Sequence, residues 1–361
     1  MYQEKLKTLK ELKHEVDLIL LMNPTNIYYV TGFMSEPHER FYCLLIDVEN
    51  NETTLFLPSL DEQAANGLAQ VDKLVAVADG EDGFAKLTSY VNKDAKLAIE
   101  KDFVTVSDYE QLLQVFEYKT FENITPFIEK VRLKKSTDEV AKTKRAIAIT
   151  EEALAKTLPQ IEVGMTELAV KALLEYELKR LGAEQIAFDT TVLAGENSAL
   201  PHGVSSHKQI EQGEFLLFDF GVYVDQYCSD ITRTFIVGQP TEEQKLIYQT
   251  VKQANEAAIA TVQLGAPLKQ VDLAAREVIE QAGYGEYFTH RVGHGMGLDV
   301  HEAPSLHHEN EAEISSGLLF TIEPGIYLPK IGGVRIEDDV YVCDDGSVDV
   351  LTSYTKDLIS I

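Results

Sequence analysis

Residues 290–302 read HRVGHGMGLDVHE, which puts three of the chain's nine histidines within twelve positions and a glycine at every second place from Gly293 to Gly297. Each glycine costs roughly 1 kcal/mol relative to alanine inside a helix, so three of them predict extended chain. Side chains alternate in a strand, which sets His290 and His294 on one face and the glycines on the other, where a neighbouring backbone can approach closely. His301 has the opposite parity and joins the other two only if the chain bends after the glycines. The pair His301 and Glu302 is not a zincin helix, because that motif needs a second histidine at 305, where Ser305 stands. Taken alone, the string fits either packing histidines or histidines that hold a ligand.

Outward from this string, 361 residues make two domains the natural expectation. The formal charge of −27 opposes binding to nucleic acid and to anionic membranes. The start MYQEKLKTLKELKHEVD lacks the apolar stretch of a signal peptide, and no run approaches a membrane span. Cys43, Cys228 and Cys343 have neither ligand nor disulfide spacing, which fits a reducing cytoplasm and a packing role.

The first third alternates strand-like VDLILL, FYCLLIDV, TTLFLP, KLVAVA and KLAIE with helical stretches, predicting an α/β domain over 1–122. Within it, Ser107 with Glu110 reads as a capping box opening a helix through Phe116. Residues 123–135 read as a linker. From 136 to 361 the pattern is α+β: Ser136 with Glu139 caps one helix, Thr166 starts a second that ends near Gly182, Thr241 with Gln244 opens a third, and a fourth covers 270–282.

Two further stretches carry carboxylates inside apolar, β-prone runs. In LLFDFGVYVDQYCSDITRTF, a hairpin turning between Val224 and Asp225 sets Asp219 opposite Asp230. In LLFTIEPGIYLPKIGGVRIEDDVYV, a turn near Lys330 brings Glu323 and Glu337 close to cross-strand register. Directly opposed like charges repel, and buried charges without partners are prohibitive. Two divalent cations balance four carboxylates, and oxygen ligands with one imidazole suit Mn²⁺, Co²⁺ or Zn²⁺.

The ordered set Asp219, Asp230 in DITRT, His294 in GHGMGL, Glu323 in IEPGIY and Glu337 in VRIED resembles the dinuclear metal ligands of the pita-bread metallopeptidases. The preceding α/β domain is similar to that of the Xaa-Pro peptidases, prolidase and aminopeptidase P. Methionine aminopeptidases lack such a domain, and creatinases lack these ligands. The resemblance implies an α+β pita-bread catalytic domain behind a smaller α/β creatinase/prolidase-type domain. It also implies a cytoplasmic homodimer of a bacterial-type prolidase acting on Xaa-Pro dipeptides, with two divalent ions per subunit, Mn²⁺ first and Co²⁺ or Zn²⁺ as alternatives.

By the same resemblance, Asp219 is bidentate to one metal, Asp230 and Glu337 bridge both, and His294 and Glu323 complete the set around a bridging water. Glu323 is then the general base. His202 in LPHG, His290, His301 and Arg335 match residues that stabilise the tetrahedral intermediate and orient substrate. Arg291, Phe188, Tyr327 and Val300 are candidate pocket walls. The loop TGFMSEPHER, 31–40, follows the strand-like IYYV. In a homodimer, its His38 or Arg40 could meet the substrate carboxylate in the partner's site, with its acidic residues pairing with Arg291. Aminopeptidase P activity on longer peptides is the alternative, and a catalytically inactive pita-bread binding module a third reading.

Overall fold

The computed structural model describes residues 2–11, 15–117 and 119–361, so positions 1 and 12–14 of the N-terminal stretch lie outside the described residues. It divides into two compact units, 1–132 and 133–361.

In the first unit, strands β1 (Leu18–Leu21), β2 (Cys43–Asp47), β3 (Glu52–Pro58), β4 (Lys73–Val77), β5 (Leu97–Ile99) and β6 (Glu122–Asn123) form one mixed sheet in the order β4-β3-β2-β1-β5-β6. Every residue of β1 is buried, as its unbroken apolar run LILL requires when both sheet faces are covered. The helices are α1 (Tyr2–Lys10), α2 (Pro24–Thr31), α3 (Glu62–Ala65), α4 (Gly83–Leu87), α5 (Val106–Val115) and α6 (Thr125–Leu133).

Two expectations are corrected here. The run IYYV is helical, not extended: Asn23 accepts from Thr25 N as the N-cap of α2, Pro24 opens the helix, and Gly32 ends it at φ 76°. Helix α5 is capped by Thr105, whose hydroxyl accepts from Asp108 N, and not by Ser107 with Glu110. The segment 123–135 contains α6, and the division between the two units falls within it.

In the second unit, the box of Ser136 and Glu139 opens α7 (Thr137–Thr157), and Thr166 caps α8 (Glu167–Arg180). Thr241 with Gln244 opens α9 (Glu242–Ala260), and α10 spans Lys269–Gln281. The strands are β7 (Gln185–Ile186), β8 (Thr191–Ala194), β9 (Phe215–Phe220), β10 (Val222–Val224), β11 (Tyr227–Cys228), β12 (Ile231–Ile236), β13 (Gly293–Gly295), β14 (Glu302–Leu306), β15 (Leu319–Ile322), β16 (Gly325–Leu328), β17 (Gly332–Arg335), β18 (Asp338–Val342) and β19 (Val348–Val350). They form sheets ordered β11-β10-β7, β12-β9-β8, β14-β13-β15-β18-β19 and β16-β17. The α9/α10 pair and the sheet residues Phe320, Ile322 and Val340 share one apolar core, and α7 and α8 share another with Leu216, Phe218 and Phe220. No helix among the described residues is long and apolar enough to cross a membrane.

Candidate metal centre

Asp219 and Asp230 come together in a register different from the expected one. The hairpin turns at Asp225 and Gln226, with φ of 50° and 65°, the pair of left-handed residues a two-residue turn of this hand needs. Val224 therefore pairs with Tyr227 and Asp219 with Thr232, so Asp219 does not face Asp230. Moving the turn by one residue slides the pairing by two, which preserves the alternation of faces. Both carboxylates therefore still line the same cavity.

Glu323 and Glu337 arrive by the register expected of a turn near Lys330, which lies at φ 74°. Gly325 pairs with Arg335 at the last rung of β16 and β17, and Ile336 N donates to Pro324 O one step beyond. The glutamates are the next residues outward along the two chains.

His294 sits on β13, where the flanking glycines do what the string demanded. A Cβ at Gly293 would strike the carbonyl oxygen of Thr321, and one at Gly295 that of Ala303. After His294 the pairing with β14 shifts register, and the chain bends so that the His301 ring meets that of His294 edge-on, centroids 4.2 Å apart. Nδ1–H of His294 donates to Gly295 O at 3.1 Å, which leaves Nε2 as a lone-pair donor. That nitrogen stands 3.7 Å from Asp230 Oδ2 and 3.4 Å from Glu323 Oε1. One donor atom each from Asp230, His294 and Glu337 lie within 4.8 Å of one another, and all three residues are buried.

A chain of donors runs outward from this cluster. Arg335 donates from Nη2 to Asp219 Oδ2 at 2.5 Å and from Nη1 to Tyr327 Oη at 2.8 Å. The Tyr327 hydroxyl reaches His290 Nε2 at 2.8 Å, and His290 Nδ1–H donates to Arg291 O at 2.7 Å. Each group thus donates to the next, which fixes the His290 tautomer. His202, Phe188, Arg291, Val300 and His301 also line the same cavity of about 510 Å³. His38 and Arg40 belong to the first unit, where Arg40 is paired with Asp79 at 2.8 Å and Glu39 at 3.1 Å.

The electrostatics of this cluster ask for cations. Burial first, and neighbouring carboxylates second, push Asp230 and Glu337 well above the usual carboxylate range. Burial raises Glu323 to about 8. Burial lowers His290 to about 4, helped by Arg335, and His294 to about 3, helped by His301, so both imidazoles are neutral near pH 7. Asp230 Oδ1 is buried with no hydrogen-bond partner among the described residues. An orphaned carboxylate oxygen beside neutral imidazole and three more carboxylates fits hard divalent cations, which remove the cost of burying those charges.

Three residues of the centre have no place in the reading of the sequence alone. Thr232 donates to Glu337 Oε2 at 2.6 Å, Thr321 donates to Glu323 Oε1 at 3.5 Å, and Asp339 Oδ2 accepts from Asp230 N at 3.4 Å. The available signal was parity: each lies two residues from a carboxylate of the set, hence on the same side of an extended chain.

Residues 4–134 match the Creatinase/Prolidase N-terminal domain and residues 141–344 match Metallopeptidase family M24. An uncharacterized peptidase of Staphylococcus epidermidis is 37% identical over 354 residues, covering 98% of this chain and 99% of the relative. Among solved structures, an Xaa-Pro dipeptidase from Bacillus anthracis is 34% identical, covers 100% of both chains and superposes with a TM-score of 0.92. A prolidase from Pyrococcus horikoshii is 36% identical, with a TM-score of 0.90 over 99% of this chain and 100% of that one. An X-Pro aminopeptidase from Thermotoga maritima is 35% identical, with a TM-score of 0.89 over 98% of this chain and 100% of that one. With its ordered carboxylates and histidine gathered in one cavity, the chain belongs to metallopeptidase family M24, as a pita-bread enzyme behind a creatinase/prolidase-type N-terminal domain.

Proposed function

We propose that this metallopeptidase hydrolyses Xaa-Pro dipeptides. The observation that carries the reading is the buried cluster of Asp230, His294 and Glu337, flanked by Asp219 and Glu323, at a cavity also lined by Arg291 and three further histidines. Asp219, Asp230, His294, Glu323 and Glu337 would hold two divalent cations, Mn²⁺ first and Co²⁺ or Zn²⁺ as alternatives. When bound, such a pair polarises the scissile carbonyl and acidifies water.

The protein's own groups do the rest. Glu323 takes the proton released as water attacks and returns it to the proline nitrogen, which leaves poorly as an anion. His202 and His301 hydrogen-bond the carbonyl oxygen as it gains charge. Arg335 holds Asp219 and, through Tyr327, keeps His290 oriented toward the substrate. Arg291 pairs with the substrate carboxylate, and Phe188, Val300 and Tyr327 enclose the proline ring. The reading includes a cytoplasmic homodimer in which His38 of one subunit approaches the substrate bound by the other. Arg40 would first have to leave Asp79 and Glu39.

A second reading, release of the N-terminal residue from longer Xaa-Pro peptides, is favoured by the similarity to the Thermotoga X-Pro aminopeptidase. The deciding experiment compares Ala-Pro with Ala-Pro-Ala on cation-loaded enzyme. A dipeptidase cleaves the first far better; equal or faster cleavage of the tripeptide supports the second reading instead.

A further inference from the structure

Glu167 is the first residue of α8 and has no exposure to solvent, yet among the described residues no lysine, arginine or histidine forms an ion pair with it. The helix N-terminus favours a carboxylate there but does not by itself offset complete burial. Four donors supply the remainder. Oε1 accepts from Ala194 N at 2.7 Å and Asn197 Nδ2 at 3.0 Å, and Oε2 accepts from Ser206 N at 2.8 Å and Ser206 Oγ at 2.7 Å.

These donors come from the two ends of a single segment, 194–206. Its apex, Pro201 to Val204, lines the candidate catalytic cavity. The ends are fastened further: Ser198 Oγ accepts from Gly333 N at 2.7 Å and Ser205 Oγ accepts from Val192 N at 2.9 Å. The hydrogen bonds of the apex among the described residues, by contrast, are local, Leu200 N to Asn197 O at 3.0 Å and Gly203 N to Leu200 O at 2.9 Å. His202 is exposed, and its ring makes no hydrogen bond among the described residues. Where that imidazole stands is therefore set by the two feet of the arch, and one buried carboxylate clasps both. An apolar side chain could fill the same volume without the desolvation cost, so packing alone does not account for an acid here.

We infer that Glu167 is a positioning residue that fixes the 194–206 arch so that His202 faces the reacting carbonyl. The inference rests on the role proposed for His202. None of the five cation-holding residues lies on the arch, so the clasp and the metal centre separate experimentally.

The test is a double-mutant cycle in cation-loaded enzyme with Glu167→Gln and His202→Ala. Gln keeps the volume but turns an amide toward groups that themselves donate. Cation content is expected to stay at the wild-type level while kcat/KM for Ala-Pro falls by about tenfold, as for loss of other orienting partners. The double variant should be no slower than His202→Ala alone, because a clasp without its histidine has nothing left to place. Effects that multiply, or wild-type kinetics in Glu167→Gln, overturn the inference while leaving the proposed reaction intact. Wild-type kinetics in His202→Ala instead removes that histidine from the reaction, and the inference with it. If Glu167→Gln does not fold, Ser206→Ala deletes one donor from the far foot and replaces it in the cycle, where the same outcomes support or overturn the clasp.

Discussion

Thr232 donates its hydroxyl hydrogen to Glu337 Oε2 over 2.6 Å while its oxygen accepts from Arg335 Nε at 3.1 Å. One buried threonine thus orients a carboxylate of the candidate metal centre and an arginine beside it. Thr232→Val keeps the β-branched shape that the strand needs and deletes both bonds. Cation affinity is expected to fall by roughly 10- to 100-fold, as for loss of other groups that orient metal ligands. A chelator-competition titration reads this, and unchanged affinity would show that Glu337 is held without the threonine.

Tyr327 stands between Arg335 and His290, and Tyr327→Phe removes only the hydroxyl that joins them. Buried Arg335 and half-buried His290 each lose a partner, at about 1–3 kcal/mol for an unmade bond in the buried case. The expected result is full cation content with kcat/KM lowered by about tenfold, and Arg335→Ala is expected to lose about 10²- to 10³-fold, the range for removing a transition-state donor. Loss of cations in Tyr327→Phe would mean that the hydroxyl supports the metal centre itself.

Metal removal should expose the strain in the carboxylates. Burial holds Glu323 near 8 and Asp230 and Glu337 well above their ordinary range. For an acid whose folded pKa is raised, the stabilising contribution is complete below the unfolded value and is lost as pH rises through the folded one. His290 and His294, whose pKa values are lowered, act in the opposite sense, but their contribution is complete once pH exceeds the unfolded histidine value near 6.5. Between pH 6.5 and about 8 the carboxylates dominate, so the melting temperature of chelated protein should fall across that window. Saturating Mn²⁺ should raise and flatten the curve; a rise with pH in the chelated protein would contradict the cluster's electrostatics.

The ion pair of Arg233 Nη2 with Asp338 Oδ1, 2.7 Å long, is 1% exposed at both ends. Burial alone would raise Asp338, but Arg233 and Lys356 hold it below its usual range, and Thr352 donates to it at 2.7 Å. Asp338→Asn leaves Arg233 buried without its counter-charge and is expected to cost about 3–5 kcal/mol of stability. Denaturant unfolding measures this, and a loss below 1 kcal/mol would show that the carbonyls around Arg233 suffice.

The residues gathered in the candidate metal centre were legible because its carboxylates interrupt apolar runs, where a charged residue must have a partner. The helix starts at Ser136 and Thr241 were legible because both halves of each capping box are present in the chain. The hairpin register was not, because Gln226 adopts a left-handed conformation that its residue type does not announce, and Asp225 without a following glycine is a weak turn signal. The α2 helix was hidden by β-prone IYYV, although Asn23, Pro24 and Gly32 supplied both of its ends. Glu167 reads in sequence as an ordinary acidic residue in a helix's first turn. Its importance lies in four donors that only the fold brings to it.

The most direct measurement is a titration of chelated protein with Mn²⁺ while proline release from Ala-Pro is followed. Activity should be absent at the start, rise, and saturate at two equivalents per chain. His294→Ala should stay inactive throughout. Proline release without added cation, saturation at one equivalent, or a fully loaded enzyme that leaves Ala-Pro intact would contradict a two-cation Xaa-Pro dipeptidase built on Asp219, Asp230, His294, Glu323 and Glu337.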